Sequence, residues 1–180
     1  MTAGIIFRKA ELRDRNGLTD LCMRSKQSNG YDDAFMAQCA EELRVRDSWI
    51  LRDEFWLGEA DGRSLVGCIR LSVGDDGEAG ELETCFVDPA WRGKGVGRQL
   101  FRPAEIRRAG TQPDVYRSGC GPVRRGFFYA RMGFRTVGRS PSGSIPGRTL
   151  PRMELIFGPA AASRGRRRTL GTGYGKDHEF

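Results

Sequence analysis

At 180 residues the chain is long enough for one domain with a buried core and short for two, and 38% hydrophobic with 29% charged residues is the composition of a globular protein. No apolar run approaches the length that crosses a bilayer, and the N-terminus MTAGIIFRKAELRDR lacks a basic-then-apolar leader layout, so no membrane partner is expected and the expected compartment is the cytoplasm. The net charge of +7 admits a nucleic-acid partner, but the arginine clusters at 107–108, 124–125 and 164–168 sit in no DNA- or RNA-binding motif; a basic surface with a basic tail is the preferred reading.

Five cysteines without a C-x-x-C pair argue against a disulfide framework, and the single histidine, His178, argues against a histidine-based triad and a His/Cys zinc site. No metal is therefore expected. Chemistry must come from carboxylates, tyrosine, thiols or main chain.

In chain order, Ile5 to Arg8 is a short β-prone run. Leu12, Leu18, Leu21, Cys22 and Met23 suit an amphipathic helix to about Ser28, stopped by Gly30. Phe35, Met36, Cys39 and Leu43 give a second helix, Asp32 to Leu43, one apolar face, with Asp32 or Asp33 capping its start. Phe55 to Ala60 and Ser64 to Val73 read as a hairpin about the Asp61-Gly62 turn. An acidic loop leads to a strand over Leu82 to Val87, and a turn at Asp88-Pro89 leads to a glycine-rich loop opening a helix at Val96.

Gly93, Gly95 and Gly97 strip side chains from one run of backbone, so N–H groups can approach an anion at a helix N-terminus. Arg92, Lys94 and Arg98 surround that run with positive charge. The implied ligand is a phosphate or pyrophosphate. Arg98 occupies the place of the third glycine of a dinucleotide fingerprint, and Gly95 follows Lys94 where a P-loop has Ser or Thr; neither motif is met.

The stretch resembles instead the acyl-coenzyme A signature of the GNAT N-acetyltransferases, R/Q-x-x-G-x-G/A, at Arg92, Gly95 and Gly97. The preceding ELETCFVDP is similar to the family's fourth strand. GFFYARMGFRTVG resembles its second coenzyme A segment through Phe128, Tyr129, Gly133 and Phe134. GYDDAFM and PSGSIPGRTLPRMEL are similar to stretches of one bacterial branch, so the likeness spans roughly residues 5 to 157. It implies an α/β GNAT fold, a mixed and mostly antiparallel central sheet flanked by helices, with domain 1–157 followed by a tail, 158–180, too poor in apolar residues to order itself.

Between the two matching blocks the likeness lapses. Pro103 should kink the helix expected over Val96 to Gly110. GTQPDVYRSGCGPVRR offers only Val115 and Tyr116 to a fifth strand, expected to be short or absent with a poorly formed splay beside the fourth strand. Genuine divergence and a local shift of reading frame compete as causes for residues 103–125.

The resemblance further implies acetyl transfer from acetyl-coenzyme A to a primary amine, on a small molecule or peptide, by direct attack on the thioester. Tyr129 would protonate the leaving thiolate; its plain alternative is a core aromatic. Glu83, sharing a strand face with Glu81, is either the base for the attacking ammonium or an exposed carboxylate. Main-chain groups at Phe86 and Val87 would hold the pantetheine and polarise the carbonyl, while Arg92, Gly93, Lys94, Gly95, Val96, Gly97 and Arg98 would hold the pyrophosphate. Cys85 reads as packing, and Tyr31, Asp32 and Asp33 as a possible acceptor wall. The other functional reading is a coenzyme A-binding module with little activity. A homodimer is left open.

Overall fold

The computed structural model describes residues 4–73, 79–106, 115–119, 128–141 and 147–156. The expected tail and, of the expected gap, residues 107–114 and 120–125 lie outside these residues.

Strand β1 (Ile6–Lys9) is followed by a single 3-10 turn and helix α1 (Arg15–Gln27). Leu18, Leu21, Cys22 and Ser25 of α1 recur at three-to-four spacing and are buried. Gly30, at φ 87°, ends the segment after α1. Helix α2 (Asp33–Leu43) starts where the Asp32 carboxylate accepts the Phe35 N–H at 2.8 Å, which selects Asp32 of the two candidate caps. Helix α3 (Asp47–Arg52) has no counterpart in the sequence expectations, because six residues are too few to show a period.

Strands β2 (Glu54–Ala60) and β3 (Ser64–Val73) form the expected hairpin. Asp61 and Gly62 take φ of 46° and 70° at the centre of a turn closed by the Arg63 N–H on the Ala60 carbonyl, 3.3 Å. Strand β4 (Ala79–Val87), a 3-10 turn over Pro89–Trp91 and helix α4 (Val96–Ile106) follow. Pro103 lies within α4, and the rest of the helix expected to Gly110 lies outside the described residues.

Strand β5 (Val115–Gly119) is present. Residues 128–131 are helical, and β6 (Arg135–Pro141) and β7 (Thr149–Ile156) complete the chain's described part.

The described strands make one seven-stranded sheet in the order β1-β2-β3-β4-β5-β7-β6. All neighbours are antiparallel except β4 and β5, which are parallel. That parallel pair is registered only at Ala79–Val115, Gly80–Tyr116 and Glu81–Arg117, while β4 continues from Leu82 to Val87. Past Glu81 the two strands share no register among the described residues, and β5 follows β7 to Gly119. β7, registered along all of β5 from Val115 to Gly119, supplies the support that β5's weak apolar character does not.

Two hydrophobic cores lie against the sheet. One joins Ile69, Leu71 and Leu82 to Val96, Leu100 and Phe101 of α4 and to Tyr129 and Phe134. The other joins Leu57, Cys68 and Phe86 to α1 and α2 through Leu18, Leu21, Cys22, Met36 and Cys39. A Cβ on Gly67 would stand 2.9 Å from both Val96 and Leu100, so this glycine permits the close seating of α4 on β3. No helix among the described residues is long and apolar enough to cross a membrane.

Candidate active site

The loop between β4 and α4 begins in a half-buried strand end and opens into exposed glycines. Gly93 and Gly95 hold φ of 77° and 81°, a region costly for residues with a Cβ, and a Cβ on either would meet nothing within 4 Å. Their surroundings are open. Gly95 is the residue whose carbonyl accepts the first helical bond, from the Gln99 N–H at 3.1 Å, so the N–H groups of Val96, Gly97 and Arg98 belong to the first turn of α4. Such groups point along the axis at the positive end of the helix dipole. Val96 is buried and anchors this turn in the core.

Gly97 differs from the other two. A Cβ there would lie 2.7 and 2.8 Å from Phe128 ring atoms, so Gly97 seats the turn at 128–131 against α4. Phe128 in turn meets Tyr129 edge-on at 5.4 Å between centroids, and Tyr129 meets Phe134 at 5.4 Å. Tyr129 is thereby buried in the α4 core, close in packing to the first turn of that helix.

The cations divide by position. Lys94 Nζ lies 4.8 Å from the centroid of Trp91. Arg98 is on the exposed side of α4, where it lines an open cleft of about 380 Å³ with Gln99, Phe101, Arg102, Arg131 and Met132. Arg92 is turned towards α1: its guanidinium donates to the Ser25 carbonyl at 2.7 Å, the Ser25 hydroxyl at 3.2 Å and the Ser28 hydroxyl at 2.6 Å.

On β4, Arg70 of β3 faces Thr84 and Leu71 faces Leu82, so Glu83 is the extra residue of a β-bulge. The Glu83 carboxylate accepts from the Ser72 hydroxyl at 3.1 Å and lies 3.7 Å from the Arg70 guanidinium. Arg70 is buried; it donates to Asp53 at 2.7 Å, and its Cζ lies 4.1 Å from the Trp49 ring centroid. The two catalytic candidates differ in setting: Glu83 is exposed beside Arg70, and Tyr129 is buried in the α4 core.

Phe86 is buried between β4 and α1, and Val87 is half-buried with its carbonyl accepting from Ser25 Oγ at 2.9 Å. Cys85 packs against the α4 core. The Cys68 thiol is pushed well above the usual range by its contact with Cys22, Sγ to Sγ 3.9 Å, and by burial, which makes it a poor nucleophile. Tyr31 stacks on Phe35 at 4.3 Å, and Asp33 is exposed.

Sequence reasoning missed Ser25, Ser28, Arg70, Asp53 and Trp49. Arg70 left a signal, a lone charge in the apolar run SLVGCIRLSV. The serines left none, since their role depends on α1 lying beside a loop more than sixty residues away.

Residues 51–136 match the family model described as an acetyltransferase (GNAT) domain. A peptidyl-lysine N-acetyltransferase, YjaB of Salmonella typhimurium, is 30% identical over 102 residues, 57% of this chain; the chain spans 63% of that relative's length. PaiA N-acetyltransferase from Thermoplasma acidophilum, solved with coenzyme A, superposes with a TM-score of 0.70 at 19% identity, over 86% of this chain and 99% of its own. The Salmonella typhimurium yncA structure with acetyl-CoA does so with a TM-score of 0.62 at 19% identity, over 91% and 100%. The glycine loop and the matching domain model make this chain similar to the GNAT acetyltransferases, and the superpositions show that it shares their fold.

Proposed function

We propose that the protein is an N-acetyltransferase that moves an acetyl group from acetyl-coenzyme A to a primary amine. The observation that carries this reading is the positive N-terminal turn of α4, opened by Gly93 and Gly95 at the end of β4, whose register with β5 covers Ala79 to Glu81. A pyrophosphate would take the N–H groups of Val96, Gly97 and Arg98, and the acyl-pantetheine arm would run along main chain at Phe86 and Val87. The arginine-lined cleft beside α4 supports an anionic ligand on this side of the molecule. The co-substrate supplies the thioester; the chain supplies orientation and proton transfer.

In this reading Glu83 takes a proton from the ammonium of the acceptor, directly or through water, and the Tyr129 hydroxyl returns one to the departing sulfur. A phenol of ordinary pKa near 10 can protonate a thiolate whose conjugate acid lies near 8.5. Glu83 sits exposed at the bulge, and the Asp53–Arg70 pair fixes the guanidinium beside its carboxylate. The exposed carboxylates of Glu81, Glu83, Asp32 and Asp33 favour a cationic acceptor, and the name of the Salmonella relative makes a peptidyl lysine the first acceptor to try. Free thiols at Cys22, Cys39, Cys68 and Cys85 suit the reducing cytoplasm, which we include in the proposal.

The test is release of free thiol from acetyl-coenzyme A with a panel of small amines, amino-acid amides and lysine peptides. Amine-dependent release with at least one class supports transfer. Tight cofactor binding with no release across the panel would replace it with a coenzyme A-binding role.

A further inference from the structure

Arg92 stands first in the glycine-loop motif, where its charge suggests contact with the ligand's phosphates. Its geometry points elsewhere. The guanidinium reaches the last turn of α1 and donates to three oxygens there, the shortest bond being 2.6 Å to Ser28 Oγ. That turn is the negative end of α1, where carbonyls lack helical partners and a cation is stabilised.

The same turn also grips the other end of the loop. Ser25, which is buried, donates its hydroxyl to the Val87 carbonyl at 2.9 Å, and Arg24 donates to Asp88 at 3.1 Å. Asp88 in turn accepts the Ala90 N–H at 3.0 Å and so shapes the turn that leads into the glycines. Both flanks of the connection, Val87–Asp88 and Arg92, are therefore pinned to residues 24–28. Directly after those residues come Gly30 and the start of α2, with Tyr31, Asp32 and Asp33.

We propose that Arg92 is a positioning residue that acts through α1, and that this latch couples the cofactor loop to the acceptor side of the site. Ser25 and Ser28 are its partners. Loss of the latch frees the loop's entry and exit together and lets the segment after α1 drift, so both substrates bind less well. A direct phosphate contact by Arg92 would affect the cofactor alone and would not involve Ser28. This inference rests on the acetyltransferase reading for its substrates, though the latch itself can be tested without them.

The experiment is a double-mutant cycle of Arg92→Met and Ser28→Ala, read by acetyl-coenzyme A affinity, by KM for the best amine, and by amide hydrogen exchange of residues 24–30 and 87–95 in the free protein. Hydrogen bonds to a charged donor set the expected scale. Arg92→Met should weaken acetyl-coenzyme A by about tenfold, raise the amine KM more than it lowers kcat, and speed exchange in both segments. Ser28→Ala should do the same to a smaller degree, and the double variant should be no worse than Arg92→Met alone. Ser28→Ala indistinguishable from wild type, with Arg92→Met equally harmful in both backgrounds, would overturn the latch in favour of direct contact. So would unchanged exchange in Arg92→Met. If the wild-type protein binds no acetyl-coenzyme A, the functional reading fails and the exchange measurement still decides the latch.

Discussion

Gly95 and Gly97 belong to one short motif and do different work. Gly95 is exposed and needs its backbone conformation, φ 81°; Gly97 is buried and needs its missing Cβ, because Phe128 fills that space. Gly97→Ala should therefore lose about 1–3 kcal/mol of stability by overpacking, and Phe128→Leu in the same chain should recover part of it, as read by urea unfolding. Additive losses from the two substitutions would show that the contact is not the cause. Tyr129→Phe removes one hydroxyl and leaves the contacts to Phe128 and Phe134. Turnover should fall on the order of a hundredfold while cofactor affinity changes little; thiol-release rates and titration of the variant check this. The motif spacing revealed the glycines and the tyrosine. It could not reveal that Gly97 packs on the ring next to Tyr129, because that contact joins two segments separated by α4 and β5.

At the scale of elements, periodic signals were legible and short or context-held pieces were not. Helices α1 and α2 and the β2–β3 hairpin announce themselves by apolar spacing and a turn dipeptide. Helix α3 has only six residues, and β5 is held by β7 and β4 rather than by its own composition. The bulge at Glu83 was equally hidden, since register depends on the partner strand. One junction carries a pH signature. Arg8 donates to both carboxylate oxygens of Asp14, at 2.7 and 2.9 Å, and holds that carboxyl below the ordinary aspartate range; burial opposes the shift, and the Glu11 N–H adds to it. A carboxyl with a lowered folded-state pKa stabilises the protein above the unfolded value near 3.9, and that contribution disappears as pH falls through the folded value. Asp14→Asn should cost about 1–2 kcal/mol at pH 7, and the gap should narrow steadily below pH ~4 in denaturant unfolding. A gap of equal size at both ends would remove the ion pair as its source.

For the whole molecule, the decisive arrangement is a sheet whose central parallel pair is in register from Ala79 to Glu81 of β4, with the N-terminus of α4 following the end of that strand. Length, fold class and the mostly antiparallel order were legible from the strand and helix sequence, and the register of the parallel pair was not, because it needs β7 to hold β5 in place. The central claim is that the glycine loop after β4 cradles the pyrophosphate of acetyl-coenzyme A. Gly95→Glu tests it by placing a carboxylate in open space at the loop, where it repels an anion; Gly95→Gln, which carries the same backbone strain at φ 81° without the charge, is the reference and should keep more of the affinity. Calorimetric titration of acetyl-coenzyme A into folded wild-type and Gly95→Glu protein should show saturable binding in the first and none in the second, whereas equal affinity in both would contradict the claim.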